Sequence, residues 1–77
     1  MSRQEILDKI IDLISALSSA DEITEDSEII EDLGIGSMDV LHLVSLIEVD
    51  FNIKFPEKAI RSLVVVGDIA DTVESLL

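Results

Sequence analysis

The stretch Leu33-Gly34-Ile35-Gly36-Ser37-Met38-Asp39 leads two glycines onto a serine, after which Val40, Leu43, Val44, Ile47 and Phe51 recur at helical spacing. Gly34 and Gly36 permit backbone angles that side chains forbid, so the chain can turn sharply just before the helix. Ser37 falls where a helix takes its N-cap, with a hydroxyl able to accept from the free N–H groups of the first turn. Asp39 adds negative charge at the positive end of the helix dipole. This predicts a helix from about Met38 to Phe51, with an exposed serine at its head. Met38, Leu41 and Val49, interleaved with Ser45 and Glu48, fall on a second face, and such a face marks either extra burial or a contact surface for a partner.

Before this stretch, Ser2 and Glu5 have the spacing of a capping box, so a first helix begins at Arg3. Ile6, Leu7, Ile10, Ile11, Leu13, Ile14 and Leu17 share one face of it, and Glu5, Asp8, Lys9, Asp12 and Ser15 the other. Ser18, Ser19 and Ala20 end the period. The segment from there to Gly36 is long for a connection, which points to an anchored loop. Its anchors are Ile23, Ile29, Ile30, Leu33 and Ile35, each worth ~1.5–3 kcal/mol if buried, with one short helical turn near Ser27 to Asp32.

After the serine helix, Asn52 suits a left-handed terminator and Pro56 blocks continuation. Glu57 to Leu63 suffices for a short third helix. Val64-Val65-Val66 reads as a buried connector, since a lone short strand would have nothing to pair with. Gly67-Asp68 introduces a last helix with Ile69, Ala70, Val73, Leu76 and Leu77 on one face. The expected fold is all-α: a small four-helix bundle with three longer helices, a short third helix and a long loop between the first two.

Length fits one domain over residues 1–77, able to bury roughly 60% of the surface its unfolded form exposes. Seventeen acidic residues against five basic ones give −12. That balance argues against nucleic acid or an anionic membrane as partner and for basic proteins. With only Phe51 and Phe55 aromatic, the core is Ile, Leu and Val. No cysteine is present, so no disulfide supports the fold and any thiol chemistry has to come from a cofactor. No run approaches the ~20 apolar residues of a membrane span and no signal-peptide pattern opens the chain, which together suggest a cytoplasmic protein.

Ser37 as a catalytic nucleophile fails two tests. The nucleophile elbow needs glycine two before and two after the serine, where this chain has Ile35 and Asp39. His42, the only histidine, lies about 140° around the helix from Ser37 and cannot act as its base. Gly34-Ile35-Gly36 lacks the third glycine or lysine of a phosphate loop. Asp21 to Asp32 puts Asp26 where a calcium loop requires glycine and isoleucines at ligand positions. Neither catalysis nor a metal site is expected.

The run from Leu33 to Asp39, continued by Leu43, Val44, Ile47, Phe51, Pro56 and Val66-Gly67-Asp68, resembles the acyl carrier proteins. The resemblance implies 4'-phosphopantetheine, transferred from coenzyme A and esterified to Ser37, with a thiol that carries acyl groups as thioesters. It implies that Gly36, Met38 and Asp39 flank the site read by a phosphopantetheinyl transferase. It also makes the second helix the partner-recognition helix, through Met38, Leu41, His42, Ser45, Glu48 and Val49. The implied partners are acyl-loading, condensing or acyl-transfer enzymes with basic or apolar docking patches, and the carrier is a monomer with no nucleic acid and no stable membrane association. Two positions depart from the family's commonest pattern, Gly36 for aspartate and Met38 for leucine, and the second helix is less acidic. Fatty-acid biosynthesis is the commonest use of such carriers, and these departures suggest instead a specialised lipid, polyketide or other secondary-metabolite pathway; a D-alanyl or other aminoacyl carrier, or an acidic interaction module that is never pantetheinylated, are the alternatives. Carriers of the fatty-acid type shelter the acyl chain between helices, and the aliphatic core here, with Val44, Ile47, Ile60, Val65 and Ile69 as its lining, is expected to part for such a chain.

Overall fold

The computed structural model describes all 77 residues. Four helices follow in order: α1 (Arg3–Ser15), α2 (Ser37–Phe51), α3 (Glu57–Arg61) and α4 (Val66–Leu76). α1 starts with a reciprocal cap, the Ser2 hydroxyl accepting from the Glu5 N–H while Glu5 Oε1 accepts from the Ser2 N–H. α1 packs chiefly on α4 and also on α2. One cluster of 16 apolar residues forms the core, with Ile10, Ile14, Leu43, Ile47, Ile69 and Val73 fully enclosed. α3 contributes no buried residue.

The long loop is anchored as expected through Ile29, Leu33 and Ile35, all buried. Ile30 is the exception at 57% exposed, because the turns over 29–33 direct adjacent isoleucines in different directions, and Ile29 takes the place in the core. These turns do not amount to a helix. Ser18 fastens the loop's far end by donating its hydroxyl to the Leu33 carbonyl at 2.7 Å. Gly34 has φ +67°, a left-handed conformation that strains any side-chain-bearing residue.

Val64–Val66 departs from expectation. It has a partner: Glu28 and Val65 form an isolated antiparallel bridge, the Ile29 N–H donates to the Val64 carbonyl at 2.9 Å, the Val66 N–H to the Ser27 carbonyl at 3.0 Å, and the Gly67 N–H to the Glu25 carbonyl at 2.8 Å. The loop itself supplies the missing strand edge, leaving Val66 buried and Val64 exposed. Asp68 accepts from the Val64 and Val65 N–H groups, so α4 starts at Val66, ahead of Gly67, and α3 stops at Arg61, short of Leu63. Asn52 closes α2 in the left-handed conformation, φ 56°, as its side chain allows.

Arg3 clamps the two chain ends, reaching Asp71 at 2.7 Å and also Glu74, with Glu25 of the loop at 3.8 Å. The hydrogen bonds to Asp71 and then Glu74 raise its pKa, so its charge is lost only in strong alkali and the clamp responds to salt rather than to pH near neutrality. Glu5 behaves differently. The Ser2 N–H, and secondarily the Ser2 hydroxyl, hold its carboxyl below the ordinary value of 4.5. A carboxylate with a depressed folded pKa contributes fully above that ordinary value and loses its contribution as pH falls through the lower folded one. Thermal unfolding followed through this acid window is expected to show a smaller loss for Glu5→Gln than for the native chain.

Candidate functional site

Ser37 is exposed, as its position after a glycine turn predicts, but it is not the cap. Gly36 is the N-cap, with φ −68° and ψ 164°, and Ser37 is the first helical residue. The Gly36 carbonyl already accepts the Val40 N–H at 2.9 Å, which starts the helix one residue earlier than the serine-cap reading. No side chain caps α2. The Ser37 hydroxyl is therefore free of the capping bond, and the first-turn N–H groups of a 15-residue helix stand next to it. Such a helix end favours an anionic group, so a phosphodiester on this serine fits the local field. A Cβ at Gly36 would meet nothing within 4 Å, so the place can take a side chain without strain, and the turn depends on Gly34 alone.

The serine stands at the rim of an apolar groove of about 310 Å³. Val40 and Leu41 of α2 form one wall, Ile60 and Leu63 the other, and Ile29 and Ile30 come from the loop. Of the five residues expected to line a shelter once the core parts, only Ile60 lines this open groove. Val44, Ile47 and Ile69 are closed into the core, where α1 packs on both α2 and α4. Arg61 also lines the groove. Its guanidinium pairs with Glu57 at 2.6 Å, with both side chains 78% exposed, an i,i+4 contact worth about 0.3–0.5 kcal/mol.

Along the outer face of α2, Met38 is 77% exposed, Leu41 49% and Val49 82%, which excludes the burial reading for that face. His42 and Ser45 are exposed between them. Glu48 is only partly exposed, and its carboxylate accepts the Phe55 N–H at 2.7 Å, so it also holds the turn after α2. Asp50 pairs with Lys9 at 3.7 Å. Asp39 is thus the one α2 carboxylate not engaged by another group of the chain. No group of three or more metal-ligating side chains converges anywhere, and His42 has no companion.

A four-helix bundle that exposes Ser37 at a helix start without a side-chain cap, over an apolar groove, has the layout of a carrier domain. The chain matches the family model described as "Phosphopantetheine attachment site" over residues 4–73. It is 36% identical over 78 residues to an acyl carrier protein of Thermotoga maritima, covering 99% of this chain and 96% of the relative. With an acyl carrier protein of Prochlorococcus marinus it shares 35% over 77 residues, 97% of this chain and 96% of the relative. Among solved structures, the acyl carrier protein of Enterococcus faecalis superposes with a TM-score of 0.81 at 28% identity, over 100% of both chains. A crystal structure of a Thermotoga maritima acyl carrier protein gives 0.84 at 24% identity, over 99% of this chain and 91% of that one; at that identity it speaks for the fold alone. The chain belongs to the acyl carrier protein family. It is a carrier rather than an enzyme, and its cofactor is covalently attached 4'-phosphopantetheine. Family membership implies a phosphopantetheinyl transferase and biosynthetic enzymes as partners. No helix is long and apolar enough to cross a membrane.

The outer groove and Arg61 were missed by sequence reasoning. One signal was present: Lys54, Lys58 and Arg61 place three of only five basic residues within a short stretch.

Proposed function

We propose that Ser37 is the attachment residue and that the chain is a single carrier domain of the cytoplasm serving a specialised lipid or secondary-metabolite pathway. The observation that carries this is an exposed, uncapping serine set between free helix N–H groups and an apolar groove. The cofactor supplies the thiol that the cysteine-free chain lacks. The residues of the chain do the rest: Gly34 turns the loop, the first turn of α2 meets the phosphate, and Val40, Leu41, Ile60 and Leu63 offer cover to the first part of a cargo chain. Each methylene covered contributes about 0.8 kcal/mol, so the apolar lining favours an aliphatic acyl cargo over an aminoacyl one. Without a neighbouring base or nucleophile, the thioester is not discharged by its own carrier.

Partner enzymes are recognised through Met38, Leu41, His42, Ser45 and Val49, with Gly36 and Asp39 flanking the modified serine and Glu48 acting chiefly on the turn behind it. Since two of the three α2 acids are engaged within the chain, this docking is apolar more than ionic. Val49→Glu is expected to weaken transfer to the cognate enzyme at least tenfold and to leave thermal stability nearly unchanged, as a substitution on an exposed face should. Equal losses of transfer and stability would contradict the docking role.

Incubation with coenzyme A and a broad-specificity phosphopantetheinyl transferase, followed by intact mass, tests the attachment. The native chain should gain one phosphopantetheine and Ser37→Ala none. A native chain that stays unmodified would leave the interaction-module reading in possession of the field.

A further inference from the structure

We propose that Arg61 is the counter-ion of the phosphodiester carried on Ser37, exchanging Glu57 for the phosphate when the arm is attached; the inference rests on the assignment of Ser37 above. Ser37 and Arg61 line the same groove from its two sides, one at the head of α2 and the other at the end of α3. The charge distribution singles this cation out. Arg3 is held by Asp71, Glu74 and Glu25, and Lys9 by Asp50. Of the remaining three, Lys54 and Lys58 do not line the groove and Arg61 does.

Its present partner is easily exchanged. Glu57 lies one turn earlier on the same short helix, and both side chains are largely in water, where ion pairs are weak. A phosphodiester offers the guanidinium two oxygens for parallel N–H donors, a stronger and better oriented match. The need is local as well as global. Asp39 carries like charge in the first turn of α2, and the chain as a whole stands at −12, so an added anion at Ser37 gains from the one cationic side chain that lines its groove. A phosphate held between the α2 N–H groups and Arg61 directs the arm along Leu41 and Ile60 rather than out into water.

The test loads the native chain, Arg61→Gln and Lys58→Gln with phosphopantetheine, verifies each by intact mass, and records the ³¹P resonance together with the Arg61 Nε–H signal before and after loading. The expected result is an Arg61 signal that shifts on loading and a ³¹P line displaced by more than its width in Arg61→Gln but not in Lys58→Gln. The displacement should collapse near 1 M salt, where the screening length is about 3 Å. Coincident ³¹P lines with an unmoved Arg61 signal, in chains that mass shows to be loaded, would overturn the pairing. Equal displacement in Lys58→Gln would replace it with a diffuse field and overturn it too. A native chain that gains no mass would instead remove the Ser37 assignment, and the inference with it.

Discussion

Ile47→Ala is expected to lower the unfolding free energy by about 2–5 kcal/mol, the largest single-residue effect on stability considered for this chain. Ile47 is wholly enclosed at the centre of α2, where truncation removes apolar burial and leaves a cavity that the surrounding isoleucines cannot fully close. At roughly 0.05–0.15 kcal/mol per residue, a chain of this length holds only ~4–12 kcal/mol in all. Urea unfolding should therefore show the midpoint falling by a large fraction, with an unchanged slope. Val49→Ala on the same helix is the control: its side chain is in water, and its effect should stay within about 0.5 kcal/mol. Similar losses from both substitutions would contradict the assignment of the two faces of α2.

Asp68→Ala should follow at about 1.5–3 kcal/mol, since one carboxylate accepts from both the Val64 and Val65 N–H groups at 2.9 and 3.0 Å and charged acceptors form the stronger hydrogen bonds. The effect has a local signature. Those two amides fix the connector whose Leu63 and Val64 line, with Ile30, a second and smaller hollow next to the groove, so their hydrogen exchange should accelerate well ahead of that at Ile10 and Ile14 in α1. Asp68→Asn, which keeps one acceptor, should fall between. Unchanged exchange at Val64 and Val65 would show that the loop bridge alone holds the connector.

Much of this was legible in the residue pattern. Ile6, Ile10 and Ile14, then Leu43, Val44 and Ile47, then Ile69 and Val73 repeat at the helical period and are all buried, because a stripe has only one side to hide. Asn52 and Pro56 ended α2 for reasons contained in their own backbone chemistry. What escaped depended on residues distant in sequence. The pairing of 25–29 with 64–67 joins two stretches that show no strand period, and it bears on which of Ile29 and Ile30 is buried, where α3 stops and where α4 starts. The groove escaped for the same reason, since its lining comes from the loop, α2, α3 and the connector after it. The serine itself was placed correctly at the surface and one residue wrongly on the helix, because a cap is fixed by a carbonyl rather than by the residue type most often found there.

The most direct measurement is peptide mapping of the chain taken from the cells that make it, with hydroxylamine used to cleave any thioester. The account predicts the phosphopantetheine mass on the peptide containing Ser37 and on no other, together with release of an acyl hydroxamate. A Ser37 peptide recovered unmodified would contradict it.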